Sequence, residues 1–205
     1  PPPPPLGWQQ RYLTDDLVDD VLYGGHRVIA TVYVDAGTMF RAKDSGPLEM
    51  AAIGETEYVN GVAAAGASGM YGDCLLCAGI VSTADLLLGA DKLEPILLAH
   101  IAASPRFRGI RVLGYDLAEV ASDARFAEAM GLLAKHGIAF DVGTETDKLD
   151  DVALLAAAFP AVTFILNHCG GTPGPADFAK EGVEEKWRAG IAAVAQCSNV
   201  YAKVG

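Results

Sequence analysis

Apolar residues fall at two spacings along this chain, and the two spacings alternate. Over residues 11–22, RYLTDDLVDDVL, the apolar positions Tyr12, Leu13, Leu17, Val18, Val21 and Leu22 recur as on one face of a helix. The glycine pair at 24–25 ends that helix. Residues 26–37, HRVIATVYVDAG, then form a continuous β-branched and apolar run, the pattern of a buried strand. The alternation continues with a helix over 55–69 and a strand over 74–81, CLLCAGIV. A helix over 91–104 places Pro95 in its first turn, and a strand, RFRGIRVLG, spans 106–114. The next helix, 121–137, takes Ser122 or Asp123 as N-cap and stops at Gly137. A strand over 138–145, a helix over 147–160 and a strand over 161–168 follow, then a helix over 182–197 and a strand from 199.

Helices between unbroken apolar strands imply a parallel sheet covered on both faces or closed into a barrel. No G-x-G-x-x-G follows the first strand and no Walker loop occurs, so a nucleotide-binding doubly wound sheet is the weaker choice. The expected fold is α/β, of the (β/α)8 TIM-barrel type. Active sites of such barrels collect at the carboxyl ends of the strands, and polar residues inside apolar strands are costly unless paired. Read in turn, those ends hold Asp35, Arg111, Asp141 with Thr144 and Glu145, Asn167 with His168, and Lys203. Arg111 has two readings: a clamp on a substrate carboxylate, or an ion pair with Asp35 or Asp141 inside the barrel. Strand alternation puts Arg108 on the opposite face, as a surface ion-pair partner. His168 is either catalytic or a rim histidine satisfied by a backbone carbonyl. His26 sits at the opposite end of its strand, and His100 and His136 lie on or after helices as packing or surface residues.

Composition narrows the partners. A net charge of −11 argues against nucleic acid and anionic membranes. No apolar stretch is long enough to span a bilayer. A small-molecule substrate and a cytoplasmic setting are expected, with oligomerisation left open. Residues 1–10 read as a proline-rich tail or linker and residues 11–205 as the barrel segment. Cys74 and Cys77 form a C-x-x-C without a second metal half-site, inside a strand-like run. Alternation would place their sulfurs on opposite faces, so both are expected to be small buried hydrophobes.

The segments ATVYVDAG, GETEYVNGVA, RFRGIR, LLAKHGIAFDV, LAAAFPAVTFILNHCGGTP and NVYAKV together resemble the amidohydrolase-related family, the branch with pyrone-dicarboxylate lactonases and aminocarboxymuconate-semialdehyde decarboxylases. The resemblance runs from about residue 11 through nearly the whole chain. It implies a (β/α)8 barrel that begins with His-x-His on its first strand and ends with an Asp on its eighth. Neither is present, so the six strands correspond to barrel strands two to seven, with the first and eighth missing. It also implies that His168 is the family's strand-six histidine, which contacts substrate or helps activate water. Decarboxylase-like members hold zinc with a strand-five histidine. Here that strand reads FDVGTET, which moves the sequence towards lactonase-like members that need no metal.

The expected activity is hydrolysis of a C–O or C–N bond in a small carboxylated substrate, cyclic ones included. His168, Asp35 and Asp141 are the candidate catalytic residues, and Arg111, Thr144 and Asn167 the candidate substrate-binding ones. No cofactor or metal is expected for the segment; a divalent metal such as zinc remains open for the complete chain. The alternatives are a zinc-dependent decarboxylase of the same superfamily and an inactive fragment.

Overall fold

Six strands run parallel in strict sequence order, β1-β2-β3-β4-β5-β6, and the sheet curls into part of a barrel. They are β1 (Ala30–Val34), β2 (Leu75–Ser82), β3 (Phe107–Val112), β4 (Ala139–Val142), β5 (Phe164–Leu166) and β6 (Val200–Ala202). The computed structural model describes residues 12–171, 174, 176 and 180–204; the proline-rich tail expected over 1–10 lies outside them. Helix α1 (Thr14–Tyr23) precedes β1. The crossovers hold α2 (Ile53–Ala67), α3 (Ala90–Ala103), α4 (Leu117–Val120), α5 (Ala124–His136) and α6 (Leu149–Ala158). A one-turn element, α7 (His168–Gly171), and α8 (Val183–Val194) lie between β5 and β6. Among the described residues no helix is long and apolar enough to cross a membrane.

The two faces of the sheet do different work. Ile110, Phe140, Val142, Phe164 and Leu166 point outward into one large core with Leu93, Leu97, Phe126, Met130, Leu133 and Val152 of the helices. Aromatic edges lock its centre: Phe126 meets Phe140 at 6.0 Å and Phe140 meets Phe164 at 5.8 Å, both T-shaped. The residues between those core positions, Arg111, Asp141 and Ile165, sit side by side in the β3–β4–β5 register and face the barrel interior. This alternation brings charges to the inner face while the same strands read as apolar.

Helix boundaries follow the expected signals, with one correction. Asp123 caps α5 by accepting from the Arg125 amide, and Gly137 ends it at φ 64°. Pro95, expected in the first turn of its helix, is the sixth residue of α3, because the helix already begins at Ala90. Pro95 cannot donate to the preceding turn, and its exposed position lets water serve that carbonyl.

Two irregularities overturn expectations that rested on simple alternation. The β1–β2 register shifts between Ala30 and Val32, and Cys77 takes φ 48° while its amide donates to Thr31 Oγ1 at 2.8 Å. Leu76 and Cys77 are consecutive, yet both pack against apolar helix-side clusters: Leu76 with Cys74, Val18 and Val21, Cys77 with Val59, Val62 and Ile80. Both thiols are buried and free. They are the small hydrophobes expected, but not because the sulfurs alternate. The β2–β3 register shifts between Ile80 and Val81, which adds a residue to β3 at Arg108. A Cβ on Gly79 would lie 3.5 Å from Val32 and 3.8 Å from Arg108, so Arg108 shares the inner face. Its guanidinium donates to the Pro105 and Phe107 carbonyls, at 2.8 Å each, instead of to a carboxylate.

His100 is a packing residue, stacked on Phe107 at 5.0 Å and paired through Nδ1 with Thr56 Oγ1 at 2.8 Å. Burial pulls its pKa down to about 4. The unfolded chain takes up this proton near pH 6.5 and the folded chain does not, so stability is fully present above that pH. It should fall by roughly 3 kcal/mol as the pH drops from 6.5 to 4. Denaturant unfolding of wild type and His100→Phe at pH 7 and pH 4.5 checks this: the pH-dependent loss should shrink in the variant.

Candidate active site at the carboxyl ends of the strands

Asp35 follows β1, and its amide stays in the sheet by donating to the Val81 carbonyl at 2.9 Å. Its carboxylate accepts from Arg111 Nε at 2.6 Å, and Arg111 Nη2 donates to the Asp35 carbonyl. Both side chains are largely buried, 12 and 17 % exposed. The ion pair considered for Arg111 is therefore present, and it links β1 to β3. Burial raises the Asp35 pKa, and the guanidinium counters part of that rise.

Asp141 lies beside Arg111 in the β3–β4 register. Its side chain is 1 % exposed and its Oδ2 accepts from the Lys203 ammonium. Its Oδ1 has no hydrogen-bond partner among the described residues. That oxygen lies over Gly109, where an added Cβ would sit 3.4 Å from Oδ1 and 3.2 Å from the Ala139 carbonyl. Burial raises the Asp141 pKa as well, against the lowering effect of Lys203 and Arg111. Lys203 Nζ also donates to Asn167 Oδ1 at 2.7 Å. Asp35 with Arg111, and Asp141 with Lys203 and Asn167, thus form two hydrogen-bonded groups that meet where Arg111 and Asp141 lie side by side.

Of the six expected site residues, four lie in these two groups. His168 and Thr144 occupy the rim above it. His168 is exposed, at φ 49°, in the turn α7, where Cys169, Gly170 and Gly171 all take positive φ. Four consecutive left-handed residues are unusual for L-amino acids, and the turn is held from several sides. The Cys169 amide donates to the Lys203 carbonyl at 2.9 Å, Trp187 Nε1 donates to the Cys169 carbonyl at 2.9 Å, and Thr146 Oγ1 donates to the Gly171 carbonyl at 2.5 Å. Thr144 lines an open cleft of about 500 Å³ with Leu113, Tyr115, Asp116 and Lys148, and its hydroxyl donates to the Glu145 carbonyl at 3.3 Å.

Two residues of the site were not singled out from sequence. Lys203 was visible only as a polar residue in the last strand. Glu55 sits in the first turn of α2, where it looked like an ordinary helix carboxylate. It is buried, and its Oε1 accepts from Tyr33 Oη at 2.7 Å and from the Ala36 and Thr38 amides at 3.1 Å each. Glu55 thereby fixes the loop that carries Asp35.

Metal fits this donor set poorly. Among the described residues no three His, Cys, Asp or Glu side chains come together as a metal-binding group. The two interior carboxylates already face a guanidinium and an ammonium, which would repel a dication at the same oxygens.

Known proteins with related sequences and folds bear on this geometry. The family model described as amidohydrolase matches residues 75–205. L-fucono-1,5-lactonase of Burkholderia ambifaria is 27 % identical over 112 residues, which are 54 % of this chain and 37 % of that relative. A crystal structure of an amidohydrolase from Burkholderia multivorans with bound HEPES superposes with a TM-score of 0.66 at 22 % identity, over 94 % of this chain and 59 % of that one. A second crystal form of the same description, with bound zinc, gives 0.64 at 22 % identity, over 94 % and 58 %. The chain therefore spans less than two thirds of the length of each of these relatives.

Proposed function

Because the chain belongs to the amidohydrolase family, with the family model covering most of its length, we propose that the protein it comes from hydrolyses a C–O or C–N bond of a small carboxylated substrate, in a lactonase-like reaction. The observation that carries this reading is the buried network of Asp35, Arg111, Asp141 and Lys203 at the carboxyl ends of parallel strands. Barrel enzymes place their chemistry at those ends. Buried ion pairs contribute little net stability because desolvation offsets their attraction, so a functional role accounts for what packing alone would avoid. The lactonase relative supports a cyclic ester as the substrate.

In this reading the carboxylates Asp35 and Asp141 hold and orient the cations and contribute to proton transfer from the attacking water. Raised pKa values suit that task, because they bring a carboxyl nearer to the operating pH. His168 reaches the scissile carbonyl from the rim, Arg111 faces the substrate carboxylate from below, and Asn167 and Thr144 contact its remaining polar atoms.

The test is turnover of a panel of small lactones, sugar-acid lactones and cyclic dicarboxylate lactones included, by the protein of the complete reading frame. Base consumption at constant pH reports ring opening. Opening of at least one lactone well above the spontaneous rate, before and after chelation, is the expected result. Carbon dioxide release from an acidic substrate, dependent on added zinc, would instead make the protein a decarboxylase.

A further inference from the structure

Lys203 is the cation of the interior that two buried side chains anchor at once. Asp141 beneath it is 1 % exposed and Asn167 is also buried. Two of its three ammonium protons are fixed, one by Asp141 Oδ2 and one by Asn167 Oδ1 at 2.7 Å. The third has no partner among the described residues. Arg111 differs in this respect, because Asp35 holds two of its edges through the carboxylate and the backbone carbonyl.

The backbone places Lys203 equally firmly. Its amide donates to the Leu166 carbonyl at 2.9 Å, and its own carbonyl receives the Cys169 amide at 2.9 Å and Cys169 Sγ at 3.4 Å. The turn that carries His168 is thus tied to the residue that carries the ammonium. A lysine stem is long and flexible, and fixing it costs side-chain entropy. Two buried acceptors on two different strands are an expensive way to hold a cation that serves packing only. They suit a cation that must point one N–H at a fixed place.

We propose that Lys203 is a catalytic residue of the hydrolysis assigned above, donating its third N–H to the carbonyl oxygen of the substrate, with Asp141 and Asn167 as its positioning residues. The inference rests on the hydrolase reading and deepens it. As water oxygen bonds to the carbonyl carbon, negative charge grows on the carbonyl oxygen. The ammonium stabilises that oxyanion from within the barrel, and His168 approaches from the rim. One proton of the water passes to the Asp35 carboxylate. When the ring C–O bond breaks, Asp35 returns that proton to the leaving alkoxide, and the product is a hydroxy acid. A preorganised donor of this kind acts on the transition state more than on the bound substrate.

Three variants in the protein of the complete reading frame test the assignment: Lys203→Met, Lys203→Gln and Lys203→Arg. Each is assayed for kcat and KM on the best lactone, beside its melting temperature. Lys203→Gln keeps hydrogen-bond donors for Asp141 and Asn167 but loses the charge. The expected result is a fall in kcat of about 100-fold for both Met and Gln, with KM within about threefold and partial recovery for Arg. A Gln variant with wild-type kcat would overturn the assignment while leaving the hydrolase intact. A loss carried by KM alone would also overturn it. A wild-type protein that opens no lactone would remove the lactonase-like reading, and this assignment with it.

Discussion

Arg111→Met should lower the unfolding free energy by about 3–5 kcal/mol at pH 8 and abolish turnover. The substitution leaves the Asp35 carboxylate in a largely buried place without the guanidinium that now holds it at 2.6 Å. Its relief is protonation. Burial already raises the Asp35 pKa, and loss of the cation raises it further. The folded variant would then bind a proton that the unfolded chain has released. By linkage, its stability is greatest at low pH and declines as the pH rises through the raised pKa. The destabilisation relative to wild type should therefore be smaller at pH 5 than at pH 8. The double variant Arg111→Met/Asp35→Asn removes the stranded charge and should recover most of the loss. Urea unfolding at the two pH values measures all of this. A single variant destabilised equally at both pH values would show that packing, not the charge, dominates.

Gly171→Ala should destabilise by about 2–4 kcal/mol and reduce kcat along with it. A Cβ at this position would lie 2.2 Å from the Thr144 carbonyl oxygen, with φ at 68°. Neither the backbone conformation nor the contact can be accommodated without moving the turn against the β4–α6 loop. The turn carries His168 and is tied to Lys203, so its displacement reaches both donors proposed for the carbonyl oxygen. Gly131→Ala provides the comparison, since that glycine has open space around it within α5. It should be neutral or slightly stabilising. Thermal unfolding of both proteins checks the contrast, and equal melting temperatures would refute the role given to the turn.

Much of this molecule was legible in its sequence because a parallel strand covered by helices has a plain signature. The apolar runs at 74–81 and 138–145 gave β2 and β4 to within a few residues. The strand-end rule brought forward Asp35, Arg111, Asp141 and Asn167, and the structure places them in two neighbouring hydrogen-bonded groups. Local irregularity was not legible. The extra residue at Arg108 and the positive φ at Cys77 invert facing, and nothing in RFRGIR or CLLCAGIV announces them. Partners distant in sequence were hidden for another reason. Lys203 meets Asp141 across 62 positions and Glu55 meets Tyr33 across 22, so the local pattern named neither pairing. The left-handed turn at His168 lay just beyond a strand whose pattern ended there, and its two glycines gave the only hint.

The central claim is that the charged interior at the strand ends is where substrate is bound and opened. The most direct measurement is a crystal structure of the protein of the complete reading frame with the hydroxy-acid product of its best lactone. The account predicts a product carboxylate oxygen within hydrogen-bond distance of Lys203 Nζ, on the interior side shared by Arg111 and Asp141. A product seated in the outer cleft beside Tyr115 and Lys148, with the interior network untouched, would contradict it.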